Sequence, residues 1–212
     1  MTTQEASTAY AGPLVLADIS GYSAFLQAVH HEHRNDAFAG GKVPHAYPVI
    51  SSLLDGIVQR LVPPFTLSKI EGDAVFVYAT DGGAPRGRAV LDCIGACYAD
   101  FRERVATARS VWPCECEPCR RIDRLELKFV LHAGPFVIQS IAGRDELVGP
   151  EVVVAHRLLK SRAEDAVGQA AFALVTDAAA DWLDVPTDGG VPIVEEYEPS
   201  PPVSGRAFAL GG

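Results

Sequence analysis

The chain has 212 residues and a net charge of −9, with 27 acidic against 18 basic side chains, and 48% of it is hydrophobic. This length gives one large domain or two small ones, and this apolar share supplies a buried core, so disorder is not expected. The one basic cluster, Arg120, Arg121, Arg124 and Lys128, is too small for the footprint of a general nucleic-acid binder.

Met1-Thr-Thr-Gln-Glu5 has neither the charged lead nor the apolar run of a signal peptide, and no apolar stretch reaches membrane-spanning length. A cytoplasmic location is therefore expected, with the five cysteines as reduced thiols or metal ligands. Residues 1–12 read as a loose tail and residues 13–212 as a single domain, with a Cys-rich loop at 112–121.

The first element is Leu14-Val-Leu-Ala-Asp-Ile-Ser-Gly-Tyr-Ser23, a strand over 14–19 running into a glycine turn and a helix. It places the Asp18 carboxylate at a strand end, beside the free N–H groups of a helix start. A carboxylate holds a divalent cation and N–H groups hold phosphate, so the pair suits a metal–nucleotide site. A simple helix-capping acid is the plainer reading. Tyr22 to about His31 follows as a helix; the three histidines and glutamate of His30-His31-Glu32-His33 invite a metal reading, but a solvated cationic helix end is the plainer one.

The region from Pro44 to Val62 is helical, with Val49, Leu53, Ile57 and Leu61 recurring every fourth residue, and Pro63-Pro64 stops it. Phe65–Ile70 and Ala74–Ala79 form a hairpin around Glu71-Gly72-Asp73. A long helix over 87–108 turns Val90, Ile94, Cys97, Phe101 and Val105 inward, and Cys93 and Cys97 read as core residues.

Trp112-Pro-Cys114-Glu-Cys116-Glu-Pro-Cys119 is no core segment. Three thiols this close suit a structural zinc, the fourth ligand being a histidine, a cysteine or a group from a partner chain. A surface loop with redox-sensitive thiols is the alternative. Leu125 to His132 alternates as a strand, and Gly134-Pro135 is expected to turn it into a second strand over 136–141. A polar connection over 142–146 leads to a helix from Gly149-Pro150 to about Arg162. A strand at 171–176, a short helix at 177–183 and a last hairpin around 192–197 and 206–210 complete the chain. This order implies an α+β fold with a largely antiparallel sheet flanked by helices.

Four stretches in this order, Ala17-Asp-Ile-Ser-Gly-Tyr-Ser23, Lys69-Ile-Glu-Gly-Asp73, Leu131-His-Ala-Gly-Pro135 and Gly149 with Arg157, resemble the catalytic domain of class III adenylyl and guanylyl cyclases over about residues 13–176. The Cys loop resembles a bacterial branch of cyclase homologues of unknown function. The resemblance implies a ferredoxin-like cyclase core. It also implies that Asp18 and Asp73 hold two Mg²⁺ or Mn²⁺ ions and that the backbone of Ile19, Ser20, Gly21 and Tyr22 cradles the phosphates of a nucleoside triphosphate. Lys69 matches the purine-reading position and favours ATP; Glu146 matches the second reading position, where adenylyl cyclases usually carry aspartate.

Arg157 matches the arginine that steadies the transition state, and Lys160 is a candidate for the family's further phosphate-binding lysine. Val153 departs from the family, which places a ribose-orienting asparagine there. The family's domains pair head to tail, so a homodimer with two shared sites is implied. Two functions follow as expectations. One is a cyclase releasing pyrophosphate and a 3′,5′-cyclic nucleotide, from ATP or, since the base-reading pair is altered, from a nucleotide with a different base. The other is a nucleotide-binding or regulatory module that kept the fold and lost turnover.

Overall fold

In the computed structural model, residues 8–35, 40–80 and 82–211 are described. The first seven residues of the expected tail, residues 36–39 of the loop after the first helix, Asp81 and Gly212 lie outside them.

The sheet is built on strand β1 (Thr8–Ser20), which pairs antiparallel with β4 (Glu126–Ile141) along its whole length. On its other edge β1 pairs with β3 (Ala74–Tyr78), which forms a hairpin with β2 (Thr66–Glu71). β5 (Arg144–Val148) folds back on β4. Beyond β4 come β6 (Phe172–Thr176), β8 (Val203–Ala209) and β7 (Val191–Glu195), in the order β2-β3-β1-β4-β6-β8-β7. The β4–β6 contact is parallel; the other pairings are antiparallel. The fold is α+β with a mostly antiparallel sheet, as the order of elements implies.

Strand alternation sends Val15, Ala17 and Ile19 to one face and Leu14 and Leu16 to the other. The first face is covered by α1 (Tyr22–Glu32), α2 (Ala46–Leu61), α3 (Arg88–Val111) and α7 (Asp177–Leu183). In α3 the buried side chains are Val90, Ile94, Cys97, Phe101 and Val105, the stripe that helical spacing requires. Burial pushes the Cys97 thiol up to about 12, which suits an inert core residue. The second face is covered by α5 (Pro150–Leu158), through Val152, Val154, Ala155 and Leu158, with α6 (Ala163–Val167) beside it. The Cys loop contains the one-turn helix α4 (Glu117–Arg120) and a 3₁₀ turn, Arg121–Arg124. Among the described residues, no helix is long and apolar enough to cross a membrane.

Four expected boundaries move. Thr8 to Gly12 belong to β1 rather than to a loose tail, because β4 extends far enough to pair with them and Tyr10 stacks on Phe136. Gly134-Pro135 does not break β4. Pro135 sits between the β6 contacts, which end at Leu131, and the β5 contacts, which begin at Val137, so that edge has no ladder partner to lose. The polar connection is strand β5 after a tight turn in which Ala142 and Gly143 have positive φ. The helix expected to reach Arg162 ends at Leu158 and resumes as α6.

Candidate functional site

Asp18 lies two residues before the end of β1, on the face shared with Leu14 and Leu16. The β1–β3 register sets it opposite Ala74, so Asp73 at the hairpin turn is its near neighbour. The Ile19 N–H donates to the Asp73 carbonyl oxygen at 3.2 Å, which fixes that turn against the strand end. Burial, and then the negative charge of Asp18, raise the Asp73 carboxyl above its ordinary pKa; the cation of Lys128 works the other way. Two acids that repel each other's charge in a half-buried corner are a donor set for a hard divalent cation.

Lys128, opposite Asp18 on β4, places Nζ 3.0 Å from Asp18 Oδ2. It stands out in sequence only as part of the basic cluster. Its alternation with Val130 and His132 puts it on the Asp18 face, but the cross-strand register is needed to bring it opposite Asp18.

Gly21 makes the turn from β1 into α1 with φ of 85°, a left-handed conformation that any side chain would strain. The turn Ile19 to Tyr22 therefore runs beside Asp73, whose charge, after burial, contributes to raising the Tyr22 phenol's pKa. The Ser20 hydroxyl donates to the Ala170 carbonyl at 3.5 Å, which leaves the backbone as what this residue offers a phosphate.

Lys69 and Glu146 meet although 77 positions apart. Lys69 Nζ is 3.2 Å from Glu146 Oε2 and 2.8 Å from Glu71 Oε1. A bulge between Leu67 and Lys69 re-aims β2, and β5 carries Glu146 opposite Gln139. The two side chains line a 560 Å³ cleft with Thr66, Tyr78 and Ser68, whose buried hydroxyl has no hydrogen-bond partner. The hydrogen bond with Glu71 raises the Lys69 pKa, with a smaller push from Glu146. Burial would raise Glu71, but the Lys69 ammonium and His156 outweigh it, so Glu71 is lowered. His156 Nε2 lies 2.9 Å from Glu71 Oε2, completing a chain Glu146–Lys69–Glu71–His156. Glu71 is legible in retrospect, since period-two spacing puts it on the face of Lys69; His156 has no such signal.

Arg157, on α5, donates to the Glu198 carbonyl at 3.3 Å and lies 5.9 Å over the Tyr197 ring. With Val153, His156 and Lys160 it lines a 420 Å³ cleft, and Val153 is half exposed one turn before it. Among the described residues, no hydrogen bond or ion pair joins Asp18 or Asp73 to Lys69, Glu146 or Arg157 within one chain. His132, in the third motif, is buried between Thr176 Oγ1 at 3.0 Å and Glu151 Oε2 at 2.7 Å. It braces β4 against α5 and the start of α7. A side chain at Gly134 would strike Glu151 Cγ at 2.6 Å, so glycine keeps that acid in reach.

Cys114, Cys116 and Cys119 converge, and the residue that joins them is His33 at the end of α1. This corrects the solvated-end reading for His33: the helix delivers its ring to the sulfurs. Burial is the main cause that raises the Cys116 and Cys119 thiols above their ordinary pKa.

A family profile described as "Protein of unknown function (DUF2652)" matches residues 50–166. The chain is 31% identical over 135 residues to Uncharacterized protein Rv2561/Rv2562 of Mycobacterium tuberculosis, a match covering 64% of this chain. It spans about 60% of the length of that curated relative. Among solved structures it is similar to the adenylyl cyclase CyaB from Pseudomonas aeruginosa, with a TM-score of 0.65, 13% identity and 96% of each chain covered. It is also similar to the guanylyl cyclase Cya2, with a TM-score of 0.63, 12% identity and 99% of this chain and 96% of that one covered. A class III adenylyl cyclase-like ATP-binding protein from Pseudomonas aeruginosa matches with a TM-score of 0.56 and 13% identity, covering 85% of this chain and 36% of that one. The likeness to these structures is one of fold: that of class III cyclase catalytic domains.

Proposed function

The chain belongs to the DUF2652 family of proteins of unknown function, and from that premise, its fold and its site we propose that it is a nucleotidyl cyclase acting on a nucleoside triphosphate, ATP first. The observation that carries this reading is the meeting of Asp18 with Asp73 at the end of β1. The meeting of Lys69 with Glu146 supports it.

Asp18 and Asp73 offer hard oxygen ligands to Mg²⁺ or Mn²⁺, and their mutual repulsion favours a bound cation. When bound, such ions neutralise the triphosphate and acidify the ribose 3′-hydroxyl. The N–H groups from Ser20 to Tyr22 hold phosphate oxygens at the start of α1; the Ile19 N–H, expected to join them, is instead spent on the Asp73 carbonyl. Lys69 donates to a ring nitrogen of the purine, and Glu146 accepts from an exocyclic amino group. Arg157 and Lys160 carry positive charge to the phosphates from the partner subunit of a head-to-tail homodimer. Positioned charges of this kind supply most of the rate in phosphoryl transfer. The 3′-oxygen forms a bond to the α-phosphorus and loses its proton to solvent. The bond from that phosphorus to the bridging oxygen breaks, and pyrophosphate leaves with the electron pair. In each chain one domain, the expected 13–212 extended back to Thr8 by β1, carries all of these groups.

A second reading, a nucleotide-binding or regulatory module without turnover, is favoured by Val153. It lines the Arg157 cleft with no hydrogen-bonding group where the cyclase family carries asparagine. The test is incubation of the purified protein with each of the four nucleoside triphosphates and Mn²⁺. Cyclic product that disappears in Asp18→Ala and Asp73→Ala supports the cyclase. Tight binding without pyrophosphate release supports the module.

A further inference from the structure

The cluster at the end of α1 is not used by the nucleotide chemistry. His33 Nε2 lies 3.7 Å from Cys114 Sγ, 3.3 Å from Cys116 Sγ and 3.4 Å from Cys119 Sγ. The four ligand atoms all lie within 4.8 Å of one another. An imidazole nitrogen has one lone pair or one proton, so it cannot satisfy three thiols by hydrogen bonding. A metal at the centre can. Zn–S bonds of about 2.3 Å and a Zn–N bond of about 2.0 Å give tetrahedral N···S edges of about 3.5 Å. The three observed distances bracket that edge.

We propose that His33, Cys114, Cys116 and Cys119 bind one zinc ion in a closed Cys₃His site. Three thiolates and an imidazole select zinc over the hard cations suited to Asp18 and Asp73, and four protein ligands leave no open position, so the ion is structural.

The site explains how the Cys loop holds its shape. A helix of four residues such as α4 has no stability of its own. The ion ties it to α1, which it packs against across a cleft lined by Gly21, Phe25, Pro118 and Leu125. Helix α1 begins at Tyr22, beside Asp73, and the loop leads through the 3₁₀ turn into β4 and Lys128. The zinc thus fixes the two segments that flank Asp18. That consequence for the nucleotide rests on the cyclase reading; the ion itself does not.

The test uses the full chain produced without a histidine tag, with metal content read by mass spectrometry. One zinc per chain is expected, lost in His33→Ala and in Cys116→Ser, retained in His33→Cys, and unchanged in His31→Ala. Cobalt(II) added to stripped wild-type protein is expected to give the intense visible bands of a tetrahedral thiolate site. The stripped protein should melt roughly 10 °C lower, recovered by zinc. If Cys116→Ser fails to fold, the cobalt spectrum of the wild type and the contrast of His33→Ala with His33→Cys decide. Zinc far below one per chain after reconstitution, absence of the cobalt bands, or full zinc affinity in His33→Ala overturns the proposal. None of these readouts requires turnover, so failure of the cyclase reading is seen separately.

Discussion

The N–H of Ile19 donates to the Asp73 carbonyl at 3.2 Å, tying the turn between β2 and β3 to the end of β1. Through this bond two acids 55 positions apart come to share one corner (18 to 73). Asp73 is held above its ordinary pKa by burial and by Asp18. A carboxyl raised in the folded state contributes stability below its unfolded pKa, and that contribution is lost as pH rises through the folded value. Above that folded value the apoprotein carries an unfavourable charge at Asp73. Asp73→Asn is expected to abolish turnover and yet raise the melting midpoint of the metal-free protein by roughly 1–4 °C, read by scanning calorimetry.

The same shift sets the pH dependence of metal binding. A cation takes the ionised carboxylate, so Mn²⁺ affinity should weaken as pH falls through the raised Asp73 pKa, at a higher pH than an ordinary aspartate would give. Asp18→Asn removes the repelling charge and should move the Asp73 titration down, read by NMR of the carboxyl carbon.

Lys69 is held charged by Glu71 and Glu146. If Lys69 reads the base as proposed, Lys69→Met removes its charged donors and should raise the KM for ATP on the order of tenfold to a hundredfold. Because Lys69 holds Glu146 beside Glu71, discrimination between ATP and GTP should fall as well. Initial rates with the two nucleotides measure both effects.

Val153 is half exposed on α5, one turn before Arg157. Val153→Asn supplies the hydrogen-bonding group that is missing there and should raise kcat by roughly tenfold to a hundredfold. Stability should change by no more than about 0.5 kcal/mol, as for an exposed helix position. An unchanged kcat would favour the binding module.

His132 spends both ring nitrogens on its neighbours, the buried Thr176 and the partly exposed Glu151. His132→Ala should cost about 2–3 kcal/mol, a fall of roughly 5–10 °C in melting midpoint, by opening a cavity between β4 and α5 and removing both ring hydrogen bonds. Residual nucleotide affinity in the folded fraction should be kept, since His132 braces elements and faces no phosphate in this account.

Much of the fold is legible in the sequence because its signals are local. The stripe from Val90 to Val105 and the repeats of the 44–62 helix depend only on their own spacing. Elements that depend on a partner are not. Thr8 to Gly12 become a strand only because β4 is long enough to receive them, and Gly134-Pro135 passes through β4 only because one edge is free there. The site follows the same division. Asp18, Lys69, Asp73 and Arg157 sit in motifs, whereas Lys128 and His33 are defined by cross-strand register and by a contact 81 positions away.

The most direct measurement is anomalous diffraction at the manganese edge from crystals grown with Mn²⁺ and a nucleoside triphosphate analogue. A peak is expected within about 2.5 Å of carboxylate oxygens of both Asp18 and Asp73, with triphosphate oxygens completing the shell. Manganese bound away from this corner, or an ordered nucleotide whose phosphates lie elsewhere while Lys128 keeps Asp18, would contradict it.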